Sequence, residues 1–384
     1  SNNTAVGYNS LAANTTGTSN TAVGLSAGAA LTTGDFNIFI GKDAGLVTTT
    51  SDSNVAIGES SFLDNTTGAS NVCVGANALG NNTTADNNTA IGRLALYANT
   101  TGTRNTAVGY AALDANTTAN DNTAVGYEAL TAATAGANTA VGKGALTATT
   151  TGGSNTAVGY GSLGSNTTAA DNTAVGLNAL GANTTGANNV AVGLNAGIDL
   201  TTGDNNTCLG PSAGNDLTTG DQNIMIGYNV KPGGGTEGYG IVISTDQDSS
   251  KGSSTAFIAP NGGNVYQDNN SADWATTSDE RIKKNIEDNT TGLDVLKQIQ
   301  VRNFEYRLPE EVDKELPEHA AIDQEGTQIG VIAQEIMEIL PDMVTQEDTG
   351  CYSVNADNIK WYLVNAVQEL SAEVEELRSQ INEN

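Results

Sequence analysis

The sequence predicts a mainly β fold: a repeat β-roll or β-solenoid shaft of about 17 residues per coil, then a small α+β domain ending in a coiled-coil helix. Three observations predict it. The motif Asn-Thr-Ala-Val-Gly recurs from Gly7 to Gly227 at steps of 17 residues, with one step of 16 between Gly126 and Gly142. The composition pairs 45 glycines with only 5% aromatic residues, which is poor material for a conventional core and suits a regular repeat. The final residues carry Leu363, Val367, Leu370, Val374, Leu377 and Ile381 at alternating steps of four and three, an apolar seam of about three heptads.

The shaft is placed at residues 1–228. One period is too short for a helix pair and suits a single coil with two short strands. Alanine and valine would stack inside, coil upon coil. An asparagine precedes every motif glycine by four residues, as at Asn3, Asn20, Asn37, Asn54, Asn71 and Asn88. These side chains are expected to form an amide ladder along the axis, and the glycines to make a turn that a Cβ would block. At strand spacing the rod would be on the order of 65 Å long. A second feature in register is the turn Asn-Thr-Thr-Gly/Ala, as at Asn14, Asn65, Asn116 and Asn183. It matches the N-glycosylation acceptor, but one per coil reads better as turn chemistry. Threonine rows of an ice-binding kind are disfavoured because the threonines cluster at turns. Calcium-binding Gly-Gly-x-Gly-x-Asp repeats are absent, and no metal or cofactor is expected. On these motifs the repeats resemble the heads of trimeric autotransporter adhesins, which are parallel β-rolls. The resemblance implies several chains around one axis, hence a homotrimer.

Charge excludes other functions. The net charge is −28, with 14 acidic and 4 basic side chains in residues 1–227 and 24 against 9 in 278–384. No basic stripe could neutralise phosphates, so no nucleic acid is expected, and no apolar run is long enough for membrane insertion. Cys73, Cys208 and Cys351 have no metal-ligand spacing, and the first two replace the motif alanine as small buried residues. Opening in mid-repeat at Ser1 without a methionine, the sequence reads as a fragment whose N-terminal anchor lies outside it.

Residues 229–277 read as a β transition or tip. Strand candidates at 240–244, 256–259 and 264–266 are separated by Gly, Asp and Ser, as in a small set of hairpins. Its irregular loops are the better place for a receptor-binding surface.

The last domain is placed at 278–384, with a short helix near 291–299, a strand near 301–308, a helix near 332–339 stopped by Pro341, and the coiled coil over 360–384. Its motifs run in order: Trp274, the stretch from Ser278 through Ile286, Val301 to Tyr306, Gly330 to Glu335, and Leu340-Pro341. From Trp274 onward the sequence resembles the C-terminal intramolecular chaperone of endosialidase-type phage tailspikes and fibres. The resemblance implies a domain that trimerises, directs folding of the β-rich part before it, and cuts itself off. Carried over by motif, the catalytic dyad is Ser278 and Lys283, and the scissile bond is Thr277–Ser278.

A serine hydroxyl needs a base, and a lysine serves when desolvation lowers its pKa. The five-residue offset puts the two side chains about 140° apart on a helix and on opposite faces of a strand. A turn must therefore bring them together, or the lysine must come from a neighbouring subunit. The plain alternative makes Ser278 an N-cap, with Asp279 and Glu280 in the first turn. Lys284 is the rival base. His319 has no partner in view and is read as a surface residue.

The whole is read as a trimeric, virion-borne, extracellular tail fibre, folded in the host cytoplasm. Its expected partners are a glycan or protein receptor on the host surface and other virion tail proteins. The rival readings are a bacterial adhesin stalk with the same chaperone, and a fibre that degrades glycans.

Overall fold

A computed structural model describes residues 2–245, 249, 252–259, 265–267, 274–275, 283–307, 311, 326–346 and 350–382. The chain divides into two units, Ser1–Thr277 and Ser278–Asn384. The fold class is the expected one, a β-solenoid of 17-residue coils followed by a small α+β unit with a long C-terminal helix.

Each coil of the first unit contributes one three-residue strand, from β1 (Thr4–Val6) to β14 (Ile224–Ile226). Successive strands pair in parallel, residue on equivalent residue, as Thr106↔Thr123, Ala107↔Ala124 and Val108↔Val125. The middle residue of the strand points inward and is fully buried, as at Ala90, Ala107 and Ala124. The motif glycine then turns the chain at φ near +135°, as at Gly109, and a Cβ there would run into the carbonyl of Gly126 in the next coil. Both the dihedral and the approach require glycine.

The second strand expected in each coil does not form. Its place is taken by a run in which alternate residues are left-handed, as at Ala111 (φ 49°) and Leu113 (φ 57°). Such a run still bonds to the next coil, through Leu113 N–H to Ala129 O at 3.0 Å and Ala115 N–H to Thr131 O at 3.1 Å. Leucine at positive φ costs roughly 1 kcal/mol or more. Full burial of Leu79, Leu96, Leu113 and Leu130 offsets it.

Two internal amide rows hold the coils together. Each motif asparagine accepts, through Oδ1, the backbone N–H of the next one: Asn20 from Asn37 at 2.8 Å and Asn88 from Asn105 at 2.9 Å. Its Nδ2 donates to a turn carbonyl of the following coil, Asn105 to Ala119 at 2.9 Å. The turn asparagines make the second row, as Asn82 Nδ2 to Asn65 Oδ1 at 2.9 Å. Asn65, Asn82, Asn99, Asn116, Asn166 and Asn183 are fully buried, so the folded shaft offers none of these acceptor sequons to a glycosyltransferase.

Core volume is balanced coil by coil. Where the left-handed leucine gives way to Gly28, Gly197 or Gly214, the turn asparagine is replaced by Leu31, Leu200 or Leu217, each buried. Phe39 stands in the strand position over Gly28 and Gly45, and a Cβ on Gly214 would meet the Cys208 sulfur at 2.5 Å. The swap leaves a trace: Asn116 and Asn183 have Oδ1 atoms buried without a partner, because Ala133 and Leu200 occupy the next rung.

The parallel ladder continues beyond the recognisable motif. β15 (Ile241–Ser244) stacks on β14 at the same 17-residue offset, with Gly240 N–H on Asn223 Oδ1 at 2.9 Å. β16 (Ala256–Ala259) stacks in parallel on β15 after a 15-residue step. Only β17 (Val265–Gln267) and β18 (Trp274–Ala275) pair antiparallel. The segment read as a set of hairpins is therefore, through β16, more solenoid. Gly240 and Ser244 had replaced the asparagine and glycine that mark the register, but the spacing alone kept it.

Replacing Asn105 by Ala leaves the buried Asn122 N–H without its acceptor. The expected loss is about 1–3 kcal/mol, read as lost hydrogen-exchange protection in the coils around residue 122, whereas Thr101→Ala on the exposed turn changes nothing. Burial also pushes the Cys208 thiol up to about 12 from an ordinary 9.0, and raises Cys73 in the same sense. The folded thiol stays neutral while the unfolded one ionises, so its contribution is full below pH 9.0 and is lost as pH rises toward about 12. The denaturation midpoint of the shaft should fall over that window, and both thiols should resist alkylation at pH 8 until the shaft unfolds.

Candidate self-processing site

The second unit is built from short elements. They are α1 (Leu293–Leu296), β19 (Arg302–Phe304), β20 (Gln328–Gly330), α2 (Ala333–Ile339), β21 (Val344–Gln346), β22 (Tyr352–Val354) and α3 (Ile359–Asn382). β19 pairs antiparallel with β20, and β21 with β22. Gly330 lets the Phe304 ring lie across it, where a Cβ would meet the ring at 3.1 Å, and Phe304 packs edge-on against Tyr306 with centroids 5.4 Å apart. Arg302 reaches α2 through two bonds to the Glu335 carboxylate, at 2.9 and 3.2 Å, which raise its pKa above the ordinary guanidinium value. Pro341 ends α2 and opens a 3-10 turn, Pro341–Met343.

This unit buries little within one chain. Among its described residues only Ile336, Met343 and Ala366 are buried apolar side chains. The seam read from the sequence, Leu363, Val367, Leu370, Val374, Leu377 and Ile381, lies exposed along α3, with Val367 at 64% and Ile381 at 73%. The domain contact of α3 is made by its other side. Asn365 Nδ2 donates to Asn289 O at 2.8 Å and Thr291 O at 3.0 Å, and Glu369 accepts the Leu293 N–H at 2.7 Å. A cavity of about 410 Å³ opens there, lined by Thr290, Gly292, Leu293, Val295, Glu369 and Ala372. These described contacts of α3 leave its apolar seam uncovered.

Of the residues assigned to catalysis, Thr277 and Ser278 lie outside the described residues, as does His319. Lys283 and Lys284 are exposed in a stretch with no helix or strand, and Asn285 after them is left-handed at φ 54°. Neither regular element that would separate a serine from a lysine five residues on is present from residue 283 to 292. Sequence reasoning missed Asn365 and Glu369. The sequence offered little signal for them, since their partners at 289–293 lie more than seventy positions away.

Residues 278–345 match the family model for the chaperone of endosialidase. That match supports an intramolecular chaperone at the C-terminal end, and the family is one of self-cleaving peptidases. The matched stretch begins with the first residue of the second unit and ends within β21. No curated protein and no solved structure matches the chain.

Because Lys283 is exposed, Lys283→Ala should change the stability of the chaperone unit by no more than about 0.5 kcal/mol. Equal denaturant midpoints for variant and wild type would separate a chemical role for this lysine from a structural one.

Proposed function

We propose that the chain is a virion tail-fibre protein, in which the chaperone drives homotrimeric folding of the solenoid shaft and then cleaves itself off before Ser278. The observation that carries this is a coincidence of boundaries: the chaperone match begins at Ser278, where the solenoid unit has ended at Thr277.

Self-association is supported by two uncovered apolar faces. Along the shaft the third strand position is aliphatic in every coil from β1 to β15 and at least partly exposed, with Ile40, Ile57, Ile91, Val158, Val192 and Ile243 exposed. Continuous patches beyond a few hundred Å² mark association surfaces. The seam of α3 is the second. Assembly also answers the chemistry. A lysine acts as a base when it is desolvated, and neighbouring copies would cover Lys283, which one chain leaves exposed.

The single turnover is then simple. Ser278 Oγ attacks the Thr277 carbonyl carbon while Lys283 takes the hydroxyl proton and passes it to the departing Ser278 nitrogen. The resulting ester is hydrolysed by water, leaving a carboxylate on Thr277 and an amino terminus on Ser278. The shaft, with its chemically quiet interior, acts as a spacer that carries a host-receptor contact, and the transition after residue 228 is the place for that contact. Its partners are the host surface glycan or protein and neighbouring tail proteins.

Intact mass and native mass of the wild-type chain beside Ser278→Ala and Lys283→Ala test the reading. The expected result is two wild-type pieces split at Thr277–Ser278, uncut variants, and a trimeric shaft. A full-length wild-type chain under conditions where it assembles would remove the catalytic claim, and a monomeric shaft would remove the fibre.

A further inference from the structure

The stretch from Lys283 to Gly292 contains no helix or strand, yet the cleavage proposed above needs its lysine held in one place. Its local bonding includes the Asn289 side chain accepting the Thr291 N–H at 2.9 Å, a turn within the segment itself. Side chains of α3 tie it to the rest of the unit. Asn365, one turn into the helix, clasps two carbonyls, Asn289 O and Thr291 O. Glu369, one turn further on, accepts the Leu293 N–H at the start of α1. Gly292 sits between them, and a Cβ there would displace the Glu369 carboxylate.

Asn365 and Glu369 thus hold three alternate residues of the backbone, two through carbonyls and one through an N–H, with matched side-chain chemistry. A carboxylate facing a backbone N–H is a charge-assisted bond of the stronger kind. Both residues lie on the side of α3 opposite Leu363, Val367 and Leu370, so a coiled coil through the seam leaves the clasp in place. Other helix positions nearby, such as Glu375, carry charges without any such contact.

We infer that Asn365 and Glu369 are positioning residues for self-cleavage: they fix residues 289–293 on the helix through which copies of the chain associate, and so set where Lys283 stands. The inference rests on the proposed self-processing function. It places the control of cleavage in the outer face of α3, separate from the seam that brings the chains together. Misplacing a reacting group by about 1 Å costs up to a hundredfold in rate, so loosening the clasp slows the cut without touching Ser278 or Lys283.

The experiment is a time course of cleavage by intact mass on full-length chains refolded from denaturant, at several protein concentrations, with native mass recorded in parallel. Glu369→Ala and Asn365→Ala should slow cleavage by about tenfold or more while the oligomer persists, and the deficit should not shrink as concentration rises. Glu369→Gln keeps an oxygen acceptor for Leu293 and should cleave close to the wild-type rate, as should the control Glu375→Ala. Should Glu369→Ala fail to assemble, Gly292→Ala decides, since it displaces the carboxylate while leaving α3 unchanged. Wild-type rates in both alanine variants, or a deficit that concentration repairs, overturn the inference alone, provided wild type is cut and Ser278→Ala is not. A wild-type chain that never cleaves overturns the proposed function and this inference with it.

Discussion

The bond on which the shaft depends is the one from each motif asparagine to the backbone N–H of the next. Asn105 Oδ1 takes the Asn122 N–H, and Asn105 Nδ2 reaches a carbonyl of that same following coil. A primary amide buried without partners costs several kcal/mol, so no coil is stable until its successor is in place. The inward alanine needs the neighbouring coil equally, since one three-residue strand has no hydrogen-bond partner within its own coil. Glycine follows from the same constraint: coils stacked at strand spacing bring the Gly109 α-carbon against the Gly126 carbonyl, leaving no room for a side chain.

Much of this was legible because the period is written in residues that bond through their side chains. Asparagine at 17-residue spacing announces a ladder, and glycine announces a turn. Leucine at positive φ was not legible. Local preference speaks against it, and only the burial of Leu113 beneath the next coil outweighs that preference. The expected second strand failed for this reason, its place being taken by alternating left-handed residues. The continuation through β15 was hidden differently, because Gly240 still donates its N–H to Asn223 although it has no amide of its own to announce the rung. In the second unit the spacing of Ser278 and Lys283 excluded helix and strand but built no site. Their roles came from resemblance, and the clasp by Asn365 and Glu369 joins residues more than seventy positions apart, which no local pattern encodes.

Repetition also creates a difficulty for assembly. A coil displaced by one period finds nearly the same asparagine, alanine and glycine waiting, so the shaft discriminates weakly between registers of one chain against another. Its irregular features supply some discrimination: the 16-residue step between Gly126 and Gly142, Phe39 over Gly28 and Gly45, and the buried Leu200 and Leu217 in place of asparagine. These are few against fifteen strands that otherwise superpose in pattern. A device that aligns the chains before the coils stack is what such a sequence needs, and a coiled coil in which apolar side chains recur at non-identical positions is a suitable one.

The C-terminal unit has the energetic profile of that device. With its apolar seam in water and three buried apolar side chains among its described residues, one copy gains little from folding alone. On the proposed function its stability would come from association, making folding and alignment the same event. Once the coils have stacked, the rungs from Asn3 to Asn223 are closed by bonds among the residues of the shaft itself. On the proposed function the chaperone is then unnecessary to the equilibrium of the product, though needed to reach it. The proposed cut after assembly would leave the shaft's ladder bonds intact and remove the unit that could guide it back, so the chain could no longer recross the barrier to unfolding by the same route.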